Sequence, residues 1–190
     1  MTKIILFNGP PRSGKDTATD FAKKHLGADG IRYRFAAPLK DATHALFGFK
    51  VTREHFDDCK DVANPSFMGM SPREAYIWIS EEVAKPKFGK DFFAKVAVNA
   101  IKKRADEKAE PVVIISDCGF IEEVNAIIDG FGVDNVALVH LKRPNTDFTS
   151  DSRSYINGVE CKKYLIHNNS GLADLKDNVI ATLKDFTDAK

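Results

Sequence analysis

Gly9-Pro10-Pro11-Arg12-Ser13-Gly14-Lys15-Asp16-Thr17 brings together two glycines, a lysine directly behind the second, and a carboxylate behind that. Gly9 and Gly14 permit backbone torsions and close approaches that a side chain would block. The loop's N–H groups can then face inward as an anion nest, with Arg12 and Ser13 on its rim. Lys15 adds a point charge suited to the β- and γ-phosphates of a nucleoside triphosphate. G-x-x-x-x-G-K usually continues with Ser or Thr, whose hydroxyl holds Mg²⁺. Here Asp16 takes that place and Thr17 follows. A carboxylate beside phosphates is repelled unless a cation compensates. Asp16 is therefore expected to reach Mg²⁺, directly or through water, or to orient Arg12, and Thr17 to serve the metal or the phosphates.

Such a loop needs a strand before it and a helix after it, and both are legible. Residues 3–8 are a short apolar run of the kind buried on both faces of a parallel sheet. Residues 16–25 place Ala18, Phe21, Ala22 and His25 near helical spacing, with Gly27 as a stop. Further strands are expected at 32–36, 111–116, 136–141 and 164–167. Helices are expected at 39–47, from Ser71-Pro72-Arg73-Glu74 to about residue 83, at 91–104, 122–129 and 172–186. The segment Lys85-Pro86-Lys87-Phe88-Gly89-Lys90 is expected to break the helix that starts at Ser71. Residues 143–157 are polar and read as a mobile lid. Buried strands alternating with helices imply an α/β fold, a three-layer αβα P-loop NTPase with a parallel sheet. One domain is expected over residues 1–190, carrying a mostly helical insertion or lid at about 50–108.

The chain has 190 residues, 43% hydrophobic and 29% charged, with a formal net charge of +1. That balance gives no electrostatic reason for tight non-specific DNA binding. No apolar run approaches the roughly 18 residues that span a bilayer. No secretory leader is read at the start, so a cytoplasmic protein without a membrane partner is expected. Cys59, Cys118 and Cys161 lack CxxC spacing and read as free thiols. The five histidines show no metal-ligand spacing.

Ser13-Gly14-Lys15-Asp16-Thr17 with Ala18-Thr19-Asp20-Phe21 resembles the deoxynucleoside monophosphate kinases of tailed phages. Ala37-Pro38-Leu39-Lys40-Asp41-Ala42, Ser71-Pro72-Arg73-Glu74, Gly89-Lys90-Asp91-Phe92-Phe93, Val139-His140-Leu141-Lys142-Arg143-Pro144 and His167-Asn168-Asn169-Ser170-Gly171 are similar to family segments in the same order. The resemblance implies Mg²⁺-dependent transfer from ATP to the 5′-phosphate of a deoxynucleotide, in the host-cell cytoplasm if the chain is phage-encoded. It assigns Gly9, Arg12, Ser13, Gly14, Lys15, Asp16 and Thr17 to the donor and metal, and Asn169, Ser170 and Gly171 to the adenine edge. It assigns Lys40 and Arg73 to the acceptor phosphate, Asp117 to metal or acceptor, and Arg143 and Arg153 to the phosphates under the lid. Phe120 is a candidate stacking partner for the acceptor base. A homodimer is a candidate assembly.

Family members often carry Asp-x-Arg where this chain reads Asp117-Cys118-Gly119-Phe120. A missing arginine removes a bidentate clamp on an acceptor phosphate. The alternative acceptor is then the hydroxyl of a 5-hydroxymethylpyrimidine within phage DNA. A reading of another class is a nucleotide switch or partner-coupled NTPase. The hydrophobic run Ile114-Ile115-Ser116-Asp117-Cys118 lacks the Glu of that class's hydrophobic Asp-Glu ending.

Overall fold

The computed structural model describes residues 1–108, 111–149, 151 and 153–188. Among them, five strands form one parallel sheet in the order β2-β3-β1-β4-β5: β1 Lys3–Asn8, β2 Gly30–Tyr33, β3 Val112–Ile115, β4 Val136–Lys142 and β5 Lys162–His167. The register runs Ile4 beside Val113 and Val136, then Leu6 beside Ile115 and Leu138. Alternation along the strands divides the core into two layers. Ile4, Leu6, Val113, Ile115 and Leu138 pack against α5 (Phe92–Ala105) and α6 (Ile121–Phe131). Ile5, Phe7, Ile114, Ala137 and Val139 pack against α1 (Lys15–Leu26) and α7 (Leu172–Asp188). Double burial explains why β1 and β3 read as unbroken apolar runs.

Between β2 and β3 the chain is helical: α2 Ala36–Leu46, α3 Pro72–Trp78, α4 Lys85–Phe88, then α5. This segment has its own aromatic cluster, with Phe56 and Phe67 buried among Phe47, Phe49 and Met70. His44 sits beside them and shares a 2.8 Å hydrogen bond with the Tyr76 hydroxyl. Ser71 and Glu74 close a capping box at the start of α3. Leu46, Phe47, Gly48, Met68, Met70 and Trp78 line an apolar groove of about 570 Å³ on the outer surface.

Two expected boundaries differ. Residues 34–36 are not strand: β2 stops at Tyr33, and α2 begins at Ala36. Helical backbone also continues through Pro86, because a π-helical stretch at Ile79–Ala84 leads directly into α4 with the proline in its first turn. The proline forgoes one backbone donor at the junction where the π-helical pattern gives way to α. Gly89 ends the run at φ 95°. No helix among the described residues is long and apolar enough to cross a membrane.

Candidate functional site

Parallel strands all end at one edge, and the candidate residues gather there. Gly9 and Gly14 are required by space and torsion. A Cβ on Gly9 would lie 2.6 Å from the Leu141 carbonyl oxygen. Gly14 has φ 99° and would meet Asn168 Nδ2 at 2.6 Å. Gly14 N-caps α1 without a side-chain cap, so the first-turn N–H groups remain open to an anion, unlike those of α3. Arg12 is exposed at the loop's apex with φ 62°, a left-handed torsion uncommon outside glycine.

Lys15 Nζ donates to the carbonyls of Gly9 (2.6 Å) and Pro10 (2.7 Å), a fold-back that a phosphate would replace. Burial, and then the nearby Arg153 charge, lower its pKa to about 8. Phosphates favour the ammonium. The free protein loses that proton above pH 8, so nucleotide affinity is expected to fall as pH rises from 8 toward 10, by up to tenfold per unit. Calorimetric titration across this range, with Lys15→Arg as a comparison that stays charged, measures the effect. The stability contribution runs the other way. A lysine whose folded pKa lies below its unfolded value weakens the fold while charged, so stability rises between pH 8 and 10.5.

Asp16 does not orient Arg12. Its Oδ1 accepts from Arg32 and Arg34, each at 3.0 Å, while Arg32 also reaches Asp20. Asp16 Oδ2 carries no hydrogen bond to a described residue, which leaves one oxygen suited to a metal-bound water. Thr17 follows it, half-buried in the first turn. Among the described residues no group of three or more His, Cys, Asp or Glu side chains forms a metal cluster. A magnesium site here would rest on Asp16, Thr17 and the phosphates themselves.

Asp117 follows β3 and caps α2. Its Oδ1 accepts from Phe35 N (2.9 Å) and its Oδ2 from Ala36 N (3.0 Å). Burial raises its pKa, and those two N–H groups oppose the rise. Cys118 is buried behind it, and Cys59, Cys118 and Cys161 are free thiols. Arg143, after β4, donates to the Arg12 carbonyl at 3.1 Å and so lies against the loop. Arg153 pairs with Asp151, Nε to Oδ1 at 2.8 Å and Nη2 to Oδ2.

Lys40 reaches the site region and is ion-paired to Asp57. It lines a cleft of about 330 Å³ at the exposed edge of β2 with Arg32, Tyr33, Arg34, Arg53, Glu54 and Arg104. Arg73 stays outside this cleft, exposed and paired with Asp61 on the helical segment. Phe120 is also outside it, half-buried beneath the Lys85 ammonium. Asn169, Ser170 and Gly171 are exposed, with Gly171 N on Asp174 Oδ2 at 3.2 Å.

Several site residues escaped the sequence reading. Asn168, one place before the expected trio, donates to the Ser13 carbonyl at 2.9 Å and braces the loop. Asn8, buried at the end of β1, donates to the carbonyls of Cys118 and Ser154 (3.1 Å each) and accepts from Ile156 N at 3.1 Å. The lid expected at 143–157 is thus fastened to the sheet at 154–156. Glu123 Oε2 accepts from Gly119 N (2.8 Å) and Phe120 N (3.1 Å), and burial pushes its carboxyl up to about 7. Arg32 and Arg34 did carry a signal. Arg32 lies on β2 and Arg34 just past its end, two positions apart, while Asp16 and Asp20 share a face of α1 at four-residue spacing.

No protein-family model matches the chain, and no curated protein matches it. Solved structures do. A sugar kinase from Janibacter sp. HTCC2649 aligns with a TM-score of 0.54 at 13% identity, over 99% of this chain and 95% of that one. A gluconokinase from Sinorhizobium meliloti 1021 gives 0.47 at 14% identity, covering 98% and 94%. The tunicamycin resistance protein of Deinococcus radiodurans gives 0.47 at 12%, covering 96% of each. The first likeness, with the observed strand order and glycine loop, establishes the fold: a three-layer αβα P-loop fold.

Proposed function

We propose that this protein is a P-loop kinase that moves the γ-phosphate of ATP, with Mg²⁺, to a deoxynucleoside monophosphate. The observation that carries the reading is the pairing of two sites through one residue. Asp16 directly follows the phosphate-loop lysine, and its Oδ1 holds Arg34, whose side chain lines the basic cleft. Lys15, Arg12, Ser13, Thr17 and Arg143 would hold the donor. Mg²⁺ would neutralise charge between its phosphates, and Asp16 and Thr17 would hold it. Arg34, Lys40, Arg53 and Arg104 would face the acceptor. Arg32, Arg34, Lys40 and Arg53 are each held by a carboxylate beside the cleft, and Arg104 makes no ion pair among the described residues. A basic lining with one uncompensated guanidinium suits an acceptor that carries its own phosphate.

A hydroxymethyl group within DNA has no terminal phosphate, and a cleft of about 330 Å³ suits a free nucleotide better than a duplex. The experiment supplies labelled ATP and Mg²⁺ with free deoxynucleoside monophosphates, hydroxymethylpyrimidine duplex DNA, or a neutral sugar. Label on the monophosphates is expected. Label only on DNA or only on sugar replaces the acceptor, and label only in inorganic phosphate rejects the kinase reading. Arg104→Ala is expected to raise the acceptor KM about tenfold, roughly 1.4 kcal/mol, while the KM for ATP changes less than about twofold. Steady-state kinetics with each substrate varied in turn separates the two.

A further inference from the structure

Gly119 has no positive φ to explain it, yet a side chain there would displace Arg153. An added Cβ would lie 2.1 Å from Arg153 Cδ and 2.5 Å from its Cγ. The arginine stem lies directly on the glycine. From below, Glu123 holds the Gly119 N–H at 2.8 Å. Arg153 is fixed further along the chain as well, since Asn8 binds the carbonyl of the next residue, Ser154, at 3.1 Å. Asp151 then takes one edge of the guanidinium through Nε and Nη2, and accepts from the Arg153 backbone N–H at 3.0 Å. The Nη1 edge makes no hydrogen bond to a described residue. An arginine's planar fork lets one edge be held while the other is presented. Lys15 lies close enough for the Arg153 charge to lower its proton affinity, while the carboxylates of Asp16, Asp151 and Asp117 act on it in the opposite sense, so two cations share this end of the sheet.

We propose that Gly119 and Asp151 are positioning residues, which seat and aim Arg153 so that it and Lys15 bracket the transferred phosphoryl group. The proposal rests on the kinase reading above. It places the arginine that the 117–120 turn lacks on a different stretch of chain, with Gly119 as the space it occupies. A guanidinium docked before the nucleotide arrives needs no reorganisation during transfer, which is the condition under which fixed charge is most effective.

The test is a double-mutant cycle read by binding. Affinity is measured calorimetrically for Mg-ADP, and for Mg-ADP with aluminium fluoride as a mimic of the transferring group. Arg153→Ala and Gly119→Ala are each expected to lose about tenfold of the fluoride-dependent tightening, leaving Mg-ADP alone within about twofold. The double variant should be no worse than Arg153→Ala, because the added methyl then meets no side chain. Asp151→Asn should lose part of the tightening, and Arg153→Lys should not restore it. Should Gly119→Ala alone fail to fold, recovery on adding Arg153→Ala supports the proposal, and failure to recover overturns it. Additive losses, equal weakening of Mg-ADP alone, unchanged tightening in Asp151→Asn, or no tightening in the unmutated protein each overturn it. Fluoride tightening without phosphate transfer to any acceptor would remove the kinase reading and leave the positioning roles standing. Transfer combined with an additive cycle would do the reverse.

Discussion

Lys15→Ala is expected to yield a folded protein whose transfer rate, as kcat/KM, is lower on the order of 10³-fold. The ammonium is the one side-chain charge that the loop itself carries inward, and its present partners are the Gly9 and Pro10 carbonyls rather than a carboxylate. Its removal leaves those carbonyls short of a donor, a cost of about 1 kcal/mol. It also relieves the burial of an ammonium and its repulsion with Arg153, which together depress its pKa. The two effects oppose each other, so the thermal midpoint should move by only a few degrees. Phosphoryl transfer depends on fixed charge around the moving group, and no neighbour can replace a lysine at the loop's centre. A variant that melts normally and still transfers phosphate at the unmutated rate would sink the site assignment.

Asn8→Ala should act in the opposite manner, through the fold. Asn8 is fully buried and joins three separate stretches: the end of β1, the Cys118 carbonyl behind β3, and the 154–156 segment. Alanine leaves the Ile156 N–H and two carbonyls without their partner at the sheet's end. The expected cost is about 2–4 kcal/mol, or a midpoint lower by about 5–10 °C. Arg153 is the neighbour of Ser154, so its placement should loosen as well. Activity at 15 °C, where the variant remains folded, should fall further than Mg-ADP affinity does. Thermal denaturation by circular dichroism, followed by kinetics below the transition, checks both parts. Asn8→Asp retains an acceptor for Ile156 N–H but turns a buried carboxyl on the Cys118 and Ser154 carbonyls, and should cost at least as much as alanine at neutral pH.

Some of this was open to reading and some was not, for a physical reason. The loop declares itself because its chemistry is local: strand, glycine turn, lysine and helix lie within residues 3–26. The sheet is visible because β1 and β3 are buried on both sides, and double burial leaves an unbroken apolar run. The start of α2 was misread because Phe35 and Ala36 look like strand. Asp117, 82 residues away along the chain from Phe35, captures their N–H groups and fixes the helix start. Asn8, Glu123, Asp151 and Asn168 were missed for a similar reason. Each is an ordinary polar residue until a partner in the folded chain gives it a role. Arg73 is the converse case, a recognisable motif position on a part of the helical segment outside the cleft.

The outer groove of the helical segment has a practical consequence. Trp78 is the chain's one tryptophan, on α3 at that groove's rim, and 42% exposed. Excitation near 295 nm therefore isolates a single reporter in the region between β2 and β3, while the sheet and its phosphate loop stay dark. Emission and iodide quenching then give an optical signal for movement of that region when the cleft beside β2 fills, without any label being attached.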